Sequence, residues 1–571
     1  MSRALRLREI AFLFAAPVAA WWAFGIDLIN QNGYLDPWFY TGLGQIFPRL
    51  VELHGYTYYQ TLRFPVIFLN ALFCSHIDPV LGYALLRYAL LLGCGAPLYL
   101  FARSRYGAGV AACAYLFLFC NPLLPRVLLW DLSTFVSVPT ALAGMLVWLS
   151  GGAPRWPSRL AAGALFTLSL CAHLFTATAI ACFLAVEVAA TLLGEKRWRN
   201  LAIDAACLAA AGAAVIGLGI LYGILRTGFF YPTLLWKMNV AAAFAAQDYT
   251  LRHAVPLSDW IAVATYAYVP PLLVLAAIAL LRRRLFTLAI EARVTWFAAL
   301  YVAFYAFDRF VLGGFVIEQF YYFAHLTIVV YLLVPIVIGA IADKAGRAAS
   351  VALAAFAVVL ILFPLANRLD VARAASFYDG WVGSLPMAAI YAALAAGFVA
   401  ALAVPALRGR ALLPLAVLGA ALLQFPVFLS PPHRAVFDHR WIARERGVYR
   451  AAIGFTRVID AYDRPGRRII TWYAPQGHPS LLAPVWSGTG FGDTLNDNFG
   501  AYGMPVLGDR ERARLADTAY RYVLLLAESE REIDDGIAAL AGMGAAGPKV
   551  FAATIGDEGY AAHVDLIEIK R

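Results

Sequence analysis

Charge is scarce in this chain. Of its 571 residues only 14% are Asp, Glu, Lys or Arg, while 62% are hydrophobic. Soluble domains carry about 25% charge, so a water-soluble enzyme is excluded for most of the length. Cysteine is sparse too: Cys74, Cys94, Cys113, Cys120, Cys171, Cys182 and Cys207 lie in or beside apolar runs, without metal-ligand spacing or a disulfide framework. They read as small apolar packing residues. The C-terminal stretch from residue 433 has no glycine-rich phosphate loop and no nucleophile elbow, and Gly488-Thr489-Gly490 alone is too weak a signal. No pair of Gly/Pro-broken spans recurs in two halves, the sequence pointer for many transporters. The net charge of +10 has no basic stripe interleaved with aromatics, which argues against nucleic acid.

What is present is a series of membrane-length apolar runs. The first, Ile10 to Asn30, follows Arg3, Arg6 and Arg8 and lacks an A-x-A-like cleavage site, so it reads as a retained helix rather than a signal peptide. Apolar runs against charged punctuation predict about thirteen spans, near 10–29, 80–101, 107–124, 133–150, 160–173, 175–193, 201–224, 259–281, 294–307, 321–341, 349–366, 386–406 and 411–429. The weakest division is at His173, which alone with its neighbours separates two spans; merging them would invert everything downstream. Basic residues offer a check. They crowd the connectors holding Arg3, Arg6, Arg8, Arg103, Arg105, Arg155, Arg159, Lys196, Arg197, Arg199, Arg282, Arg283, Arg284, Arg293, Lys344, Arg347, Arg408 and Arg410, and the longer opposite loops hold half as many. The positive-inside rule therefore predicts a cytoplasmic N-terminus and, with thirteen spans, an external C-terminus.

From residue 433 the charge density more than doubles. Short β-rich runs at 468–473, 522–526 and 564–569 alternate with helix-like stretches at 440–462, 509–520 and 528–543. The fold class expected is an all-α polytopic membrane protein over 1–432, with a small water-soluble α/β domain over 433–571 on the outer face. Outer loops are expected at 30–79, 125–132, 225–258, 308–320 and 367–385.

Those outer loops hold nearly all the candidate chemistry. Asp36, in Tyr34-Leu35-Asp36-Pro37-Trp38-Phe39-Tyr40, leads it: an acid beside the first helix exit of so apolar a chain. Pro37 behind it also fits an N-cap, and the two roles are compatible, since a cap fixes a carboxylate at a helix start. The same loop carries Tyr40, His54, Tyr58, Tyr59 and Arg63, whose aromatics suit an interfacial belt as well as a binding surface. Asp131, after Arg126 in the next outer loop, emerges on the same face. Two such acids could divide base and orienting work, or hold a divalent cation through oxygen ligands. Arg63, Arg126, Arg309 and His325 could pair with a phosphate-bearing substrate, or simply with lipid headgroups. Arg87 lies inside a span, where it has to face the bundle interior or a wet cavity.

Together, Leu35-Asp36-Pro37-Trp38-Phe39-Tyr40 after the first span, the run Tyr56-Thr57-Tyr58-Tyr59-Gln60-Thr61-Leu62-Arg63-Phe64-Pro65, and Asp131 after the third span resemble the GT-C superfamily of polytopic glycosyltransferases. That resemblance implies an inverting transfer on the periplasmic face of a bacterial inner membrane, in cell-envelope glycan synthesis. The implied donor is a polyprenyl-phosphate-linked sugar and the acceptor a lipid or glycan. Asp36 would be the general base and Asp131 a second catalytic acid. Tyr40, His54, Tyr58, Tyr59, Arg63, Arg126, Arg309 and His325 would bind substrate. Many members carry a second acid beside the first; here Leu35 and Pro37 flank Asp36, which favours a base without a metal and leaves a divalent cation open. The rival readings are a transporter or flippase, which needs polar residues right through the spans, and a lipid-diphosphate-dependent glycan ligase, which would depend on outer-loop Arg and His rather than on Asp36.

Overall fold

The computed structural model describes residues 7–24, Gly44, 63–74, 76–120, 132–151, 155–194, 197–228, 269–311 and 324–345. It further describes 350–361, 439–474 and 509–571, apart from positions 352, 359, 465, 558 and 559. The apolar part is a bundle of α1 (Leu7–Phe24), α2 (Phe64–Cys74), α3 (Pro79–Tyr106), α4 (Ala108–Cys120), α5 (Leu132–Ser150), α6 (Trp156–Ala172), α7 (Thr176–Leu193), α8 (Arg197–Thr227), α9 (Val269–Leu281), α10 (Ile290–Phe310) and α11 (Thr327–Ala345), the last entered by a 3-10 turn, Ala324–Leu326. Among the described residues five stretches are long and apolar enough to cross a membrane: Val80–Tyr106, Thr176–Leu193, Trp198–Thr227, Ile290–Asp308 and Ala324–Asp343. The predicted spans near 386–406 and 411–429 lie outside the described residues.

The weakest sequence division is real. His173 is extended (φ −147°, ψ 117°) and ends α6, its N–H donating to the Ser169 carbonyl at 2.9 Å. The Thr176 hydroxyl donates to the His173 carbonyl at 2.5 Å as α7 begins. No proline or glycine marks this break, and a polar side chain satisfies the carbonyl that the lost turn leaves over.

Burial orders the bundle. The Ala324–Asp343 window is 89% buried, against 22% for Trp198–Thr227, so α11 is central and α8 peripheral. α11 touches α3, α4, α5, α9 and α10. Around it Phe14, Val18, Trp22, Leu218, Leu221 and Leu225 turn outward. Apolar side chains on the outside of a bundle are at home in hydrocarbon and costly in water, so this is a membrane protein. The end at which α1 begins is called basal below and the opposite end apical.

The C-terminal segment forms a four-stranded sheet of β1 (Arg468–Ala474), β2 (Tyr520–Ala527), β3 (Ala546–Asp557) and β4 (Tyr560–Ile569), in the order β1-β2-β4-β3. β1 runs parallel to β2, and the other pairings are antiparallel. The period of two sorts its side chains. Ile470, Trp472, Val523 and Leu525 meet Leu515 of α13 (Asp509–Ala516) and Ile533 and Leu540 of α14 (Glu530–Gly542). Ile469, Leu524, Leu526, Val564 and Leu566 belong to the core that holds Phe455 and Ile459 of α12 (His439–Tyr462). α14 starts with a capping box between Ser529 and Glu532. β3 has no counterpart among the sequence expectations. It contains Pro548 and bulges on both sides of Lys549, a pattern tolerated because β3 is an edge strand.

Candidate functional site

The bundle sorts its charges by end. At the basal end four acids of the packed spans, Glu9, Glu187, Asp204 and Glu291, meet arginine. Glu9 of α1 takes Arg103 Nε at 2.8 Å and the Tyr99 hydroxyl at 3.0 Å. Glu291 of α10 accepts from Tyr106 at 3.1 Å and lies 3.4 Å from Arg105 of α3. Glu187 of α7 accepts from Trp148 Nε1 at 2.9 Å and pairs with Arg293 of α10. Asp204 of α8 accepts from Arg159 Nε at 2.9 Å and Arg155 at 3.1 Å, both at the start of α6. Arg159 also donates to the Trp148 carbonyl at 2.6 Å and stacks 3.7 Å from the Trp148 ring. Glu187 and Asp204, which stand inside spans in the sequence, are thus tied off near one end. With their hydrogen bonds made, such buried pairs hold helix ends in register rather than line a path.

The apical end is built from cations, imidazoles and hydroxyls. Arg63 opens α2: its carbonyl accepts from Val66 and Ile67 at 3.0 and 3.2 Å, and Pro65 supplies the fixed φ of a helix start. Its side chain is only 3% exposed, so it does not snorkel. The adjoining Phe64 lies so close to Gly219 of α8 that a Cβ there would meet the ring at 2.9 Å. Arg87, one turn into α3 from Tyr83, is 1% exposed, with its guanidinium 4.4 Å from the Tyr83 ring and 5.5 Å from the Phe135 ring of α5. It faces the bundle interior, as its sequence position requires.

His325, in the 3-10 turn before α11, is fully buried. Its ring lies 4.9 Å from that of His173, centroid to centroid, and 5.2 Å from Phe175. His173 Nδ1 accepts from the Phe175 amide at 3.2 Å, which leaves Nε2 as the proton-bearing nitrogen of the neutral ring. Around the pair, Ser169 donates to the Ser137 carbonyl at 2.8 Å, and Tyr301 stands 3.5 Å from both Thr178 and Tyr305. In the sequence His173 serves only to divide two spans; its place opposite His325 has no linear signal, because the two are brought together by α5, which packs against α6, α7 and the 3-10 turn.

α5 packs against both α2 and the 3-10 turn, so Arg63 and His325 share the apical end. Arg309 sits in the last turn of α10, at that same end, and its side chain lies outside the described residues. Asp36, Tyr40, His54, Tyr58, Tyr59, Arg126 and Asp131 also lie outside them. Asp131 immediately precedes α5, whose first turns carry the buried Thr134 and Ser137. A cap of the Asp-Pro kind is present at Asp78-Pro79, where Asp78 Oδ1 accepts from Leu81 at 3.0 Å to start α3. Among the described residues no group of three or more His, Cys, Asp and Glu side chains is placed to hold a metal ion.

No family model matches the chain, and no curated protein matches it by sequence. Among solved structures it is similar to ArnT from Cupriavidus metallidurans bound to undecaprenyl phosphate, at 13% identity and a TM-score of 0.45, covering 98% of each chain. It is similar also to the archaeal oligosaccharyltransferase AglB from Archaeoglobus fulgidus in complex with an inhibitory peptide and a dolichol-phosphate. There the identity is 12% and the TM-score 0.41, over 98% of this chain and 74% of that one. A third, the Archaeoglobus fulgidus oligosaccharyltransferase in complex with Zn and sulfate, has 13% identity and a TM-score of 0.43 over 93% and 69% of the two chains.

Proposed function

We propose that this protein is a membrane glycosyltransferase of GT-C type, moving a sugar with inversion from a polyprenyl-phosphate donor to an acceptor hydroxyl. The reaction takes place at the apical end, on the periplasmic face of a bacterial inner membrane. In this reading residues 1–432 are the membrane-embedded catalytic part and 433–571 an external α/β domain. The observation that carries it is the segregation of charge: Glu9, Glu187, Asp204 and Glu291 are bound to arginines at the basal end, while Arg63, Arg87, His173 and His325 are buried toward the other end. A buried cationic and imidazole face suits an anionic phosphate, which needs paired counter-charges once out of water.

The chemistry follows from those groups. Asp36 takes the proton of the acceptor hydroxyl, and the oxygen attacks the anomeric carbon from the face opposite the phosphate. The anomeric C–O bond to phosphate breaks, and its electron pair leaves on the phosphate oxygen. Negative charge grows there as the bond breaks, so cations placed at that oxygen lower the barrier. Arg63, Arg126, Arg309 and His325 are assigned that work, Asp131 orients the reacting groups, and Tyr40, His54, Tyr58 and Tyr59 line the donor and acceptor surface. A divalent cation is not required for these steps.

A transporter would need a polar route through the bilayer, and the arginine clamps on Glu187 and Asp204 speak against one. A lipid-diphosphate ligase would use the Arg and His set without Asp36. Mass spectrometry of membrane lipids and surface glycans from cells with and without the protein tests the proposal: a shift of one sugar mass is expected, and unchanged glycans with altered transmembrane distribution of a solute would replace it with the transporter.

A further inference from the structure

Arginine at the basal end falls into two classes. Arg103, Arg105, Arg155, Arg159 and Arg293 each meet an acid of another helix. Arg8, Arg199 and the run Arg282, Arg283 and Arg284 meet none among the described residues and are exposed, and the run places three of these charges side by side in the turn from α9 to α10. Three consecutive like charges repel one another, and no acid among the described residues pairs with them. The turn nevertheless has a definite shape. The Arg284 amide donates to the Leu281 carbonyl at 2.6 Å. The Thr287 amide and hydroxyl donate to the Arg284 carbonyl at 3.0 and 2.7 Å. Trp296 Nε1 of α10 then fastens the turn by donating to the Leu285 carbonyl at 2.8 Å.

The same turn buries Leu285 and leaves Phe286 90% exposed, with its ring 6.5 Å from the half-exposed Trp296. A phenylalanine held that far into water is unfavourable; at a bilayer surface its ring sits below the phosphates. Guanidinium groups beside it meet those phosphates bidentately.

We propose that the Arg282-Arg283-Arg284-Leu285-Phe286 turn is a binding site for anionic phospholipid headgroups, the three arginines taking the phosphates and Phe286 entering the acyl boundary. The site lies at the end opposite the proposed transfer chemistry. It requires only that this end of the bundle meets a lipid surface, so it does not depend on which reaction the apical end performs.

The test uses the full-length chain in detergent, titrated with phosphatidylglycerol or phosphatidylcholine, with lipid retention read by native mass spectrometry. The wild type should retain phosphatidylglycerol preferentially. The R282Q/R283Q/R284Q variant should bind it about a hundredfold more weakly, at about fivefold per surface arginine. Phe286→Ser, which keeps every charge, should weaken retention of both lipids. Should the triple variant fail to insert, the three single Gln variants are read in its place, each expected to lose about fivefold. The proposal is overturned if the folded Gln variants retain phosphatidylglycerol as the wild type does, or if the wild type binds phosphatidylcholine equally well. It is equally overturned if millimolar inorganic phosphate displaces the lipid completely, which would make the turn a simple anion site.

Discussion

His173 and His325 face each other with ring centroids 4.9 Å apart, at the break between α6 and α7 and at the entry to α11. The contact ties two helix ends together, and His173 Nδ1 accepts from the Phe175 amide where α7 begins. His173→Phe keeps the ring volume and removes the acceptor of that amide, so it should lower stability by about 1–3 kcal/mol. His173→Asn places an acceptor near the position of Nδ1 and should cost less. Thermal unfolding of both variants in detergent checks this; equal losses would mean the amide bond contributes nothing.

Asp204 holds two arginines at the start of α6, and removing its charge leaves the buried Arg159 guanidinium in a low-dielectric helix end without its carboxylate. Asp204→Asn should destabilise the chain by about 3–5 kcal/mol. Replacing Arg159 by Met and Asp204 by Leu together should recover most of the loss, because the one charge of this cluster then left without its carboxylate, Arg155, has a side chain 30% exposed and open to water. Turnover per folded molecule should stay normal in both, since this clamp lies at the end away from the proposed chemistry.

Asp36→Asn separates the base from the cap. Asn keeps a capping oxygen, as the Asp78 cap needs only one carbonyl-like acceptor. Sugar transfer should be abolished with expression and melting temperature nearly unchanged. Normal turnover in the Asn variant would leave Asp36 as a helix cap and shift the role of base to Asp131.

The leaving phosphate should reveal itself in alanine variants of Arg63, Arg126, Arg309 and His325. At least one is expected to raise the barrier by about 3–4 kcal/mol, the scale of one lost electrostatic donor. The loss should fall on turnover more than on donor affinity, because the charge develops as the bond breaks. Full turnover in all four would remove the phosphate-carried donor and strengthen the transporter reading.

Orientation is open to a direct assay. A reporter fused after Arg571 that works only outside the cytoplasm should be active, with the basal end and its Arg282–Arg284 turn on the cytoplasmic side. Activity of a cytoplasm-only reporter at the same position would show an even number of spans.

Much of the helical architecture was legible in the linear chain because each span carries its own signal: an apolar run of bilayer length bounded by charge needs no partner to be recognised. Even the α6–α7 break was visible as His173 and its neighbours within otherwise apolar sequence. The alternating runs of β1, β2 and β4 were readable for the same local reason, whereas β3, with Gly547 and Pro548, is a strand only because β4 offers it an edge. Arg63, Asp36 and Asp131 could be singled out by residue type and position relative to the spans. Which acids are already spent on arginine could not, since Glu187 meets Arg293 and Asp204 meets Arg159 across 106 and 45 residues of chain. Nor could the pairing of His173 with His325, which no periodicity encodes. Local composition decides where a helix forms; only the packing of helices against one another decides which polar groups neutralise each other and which remain for a ligand.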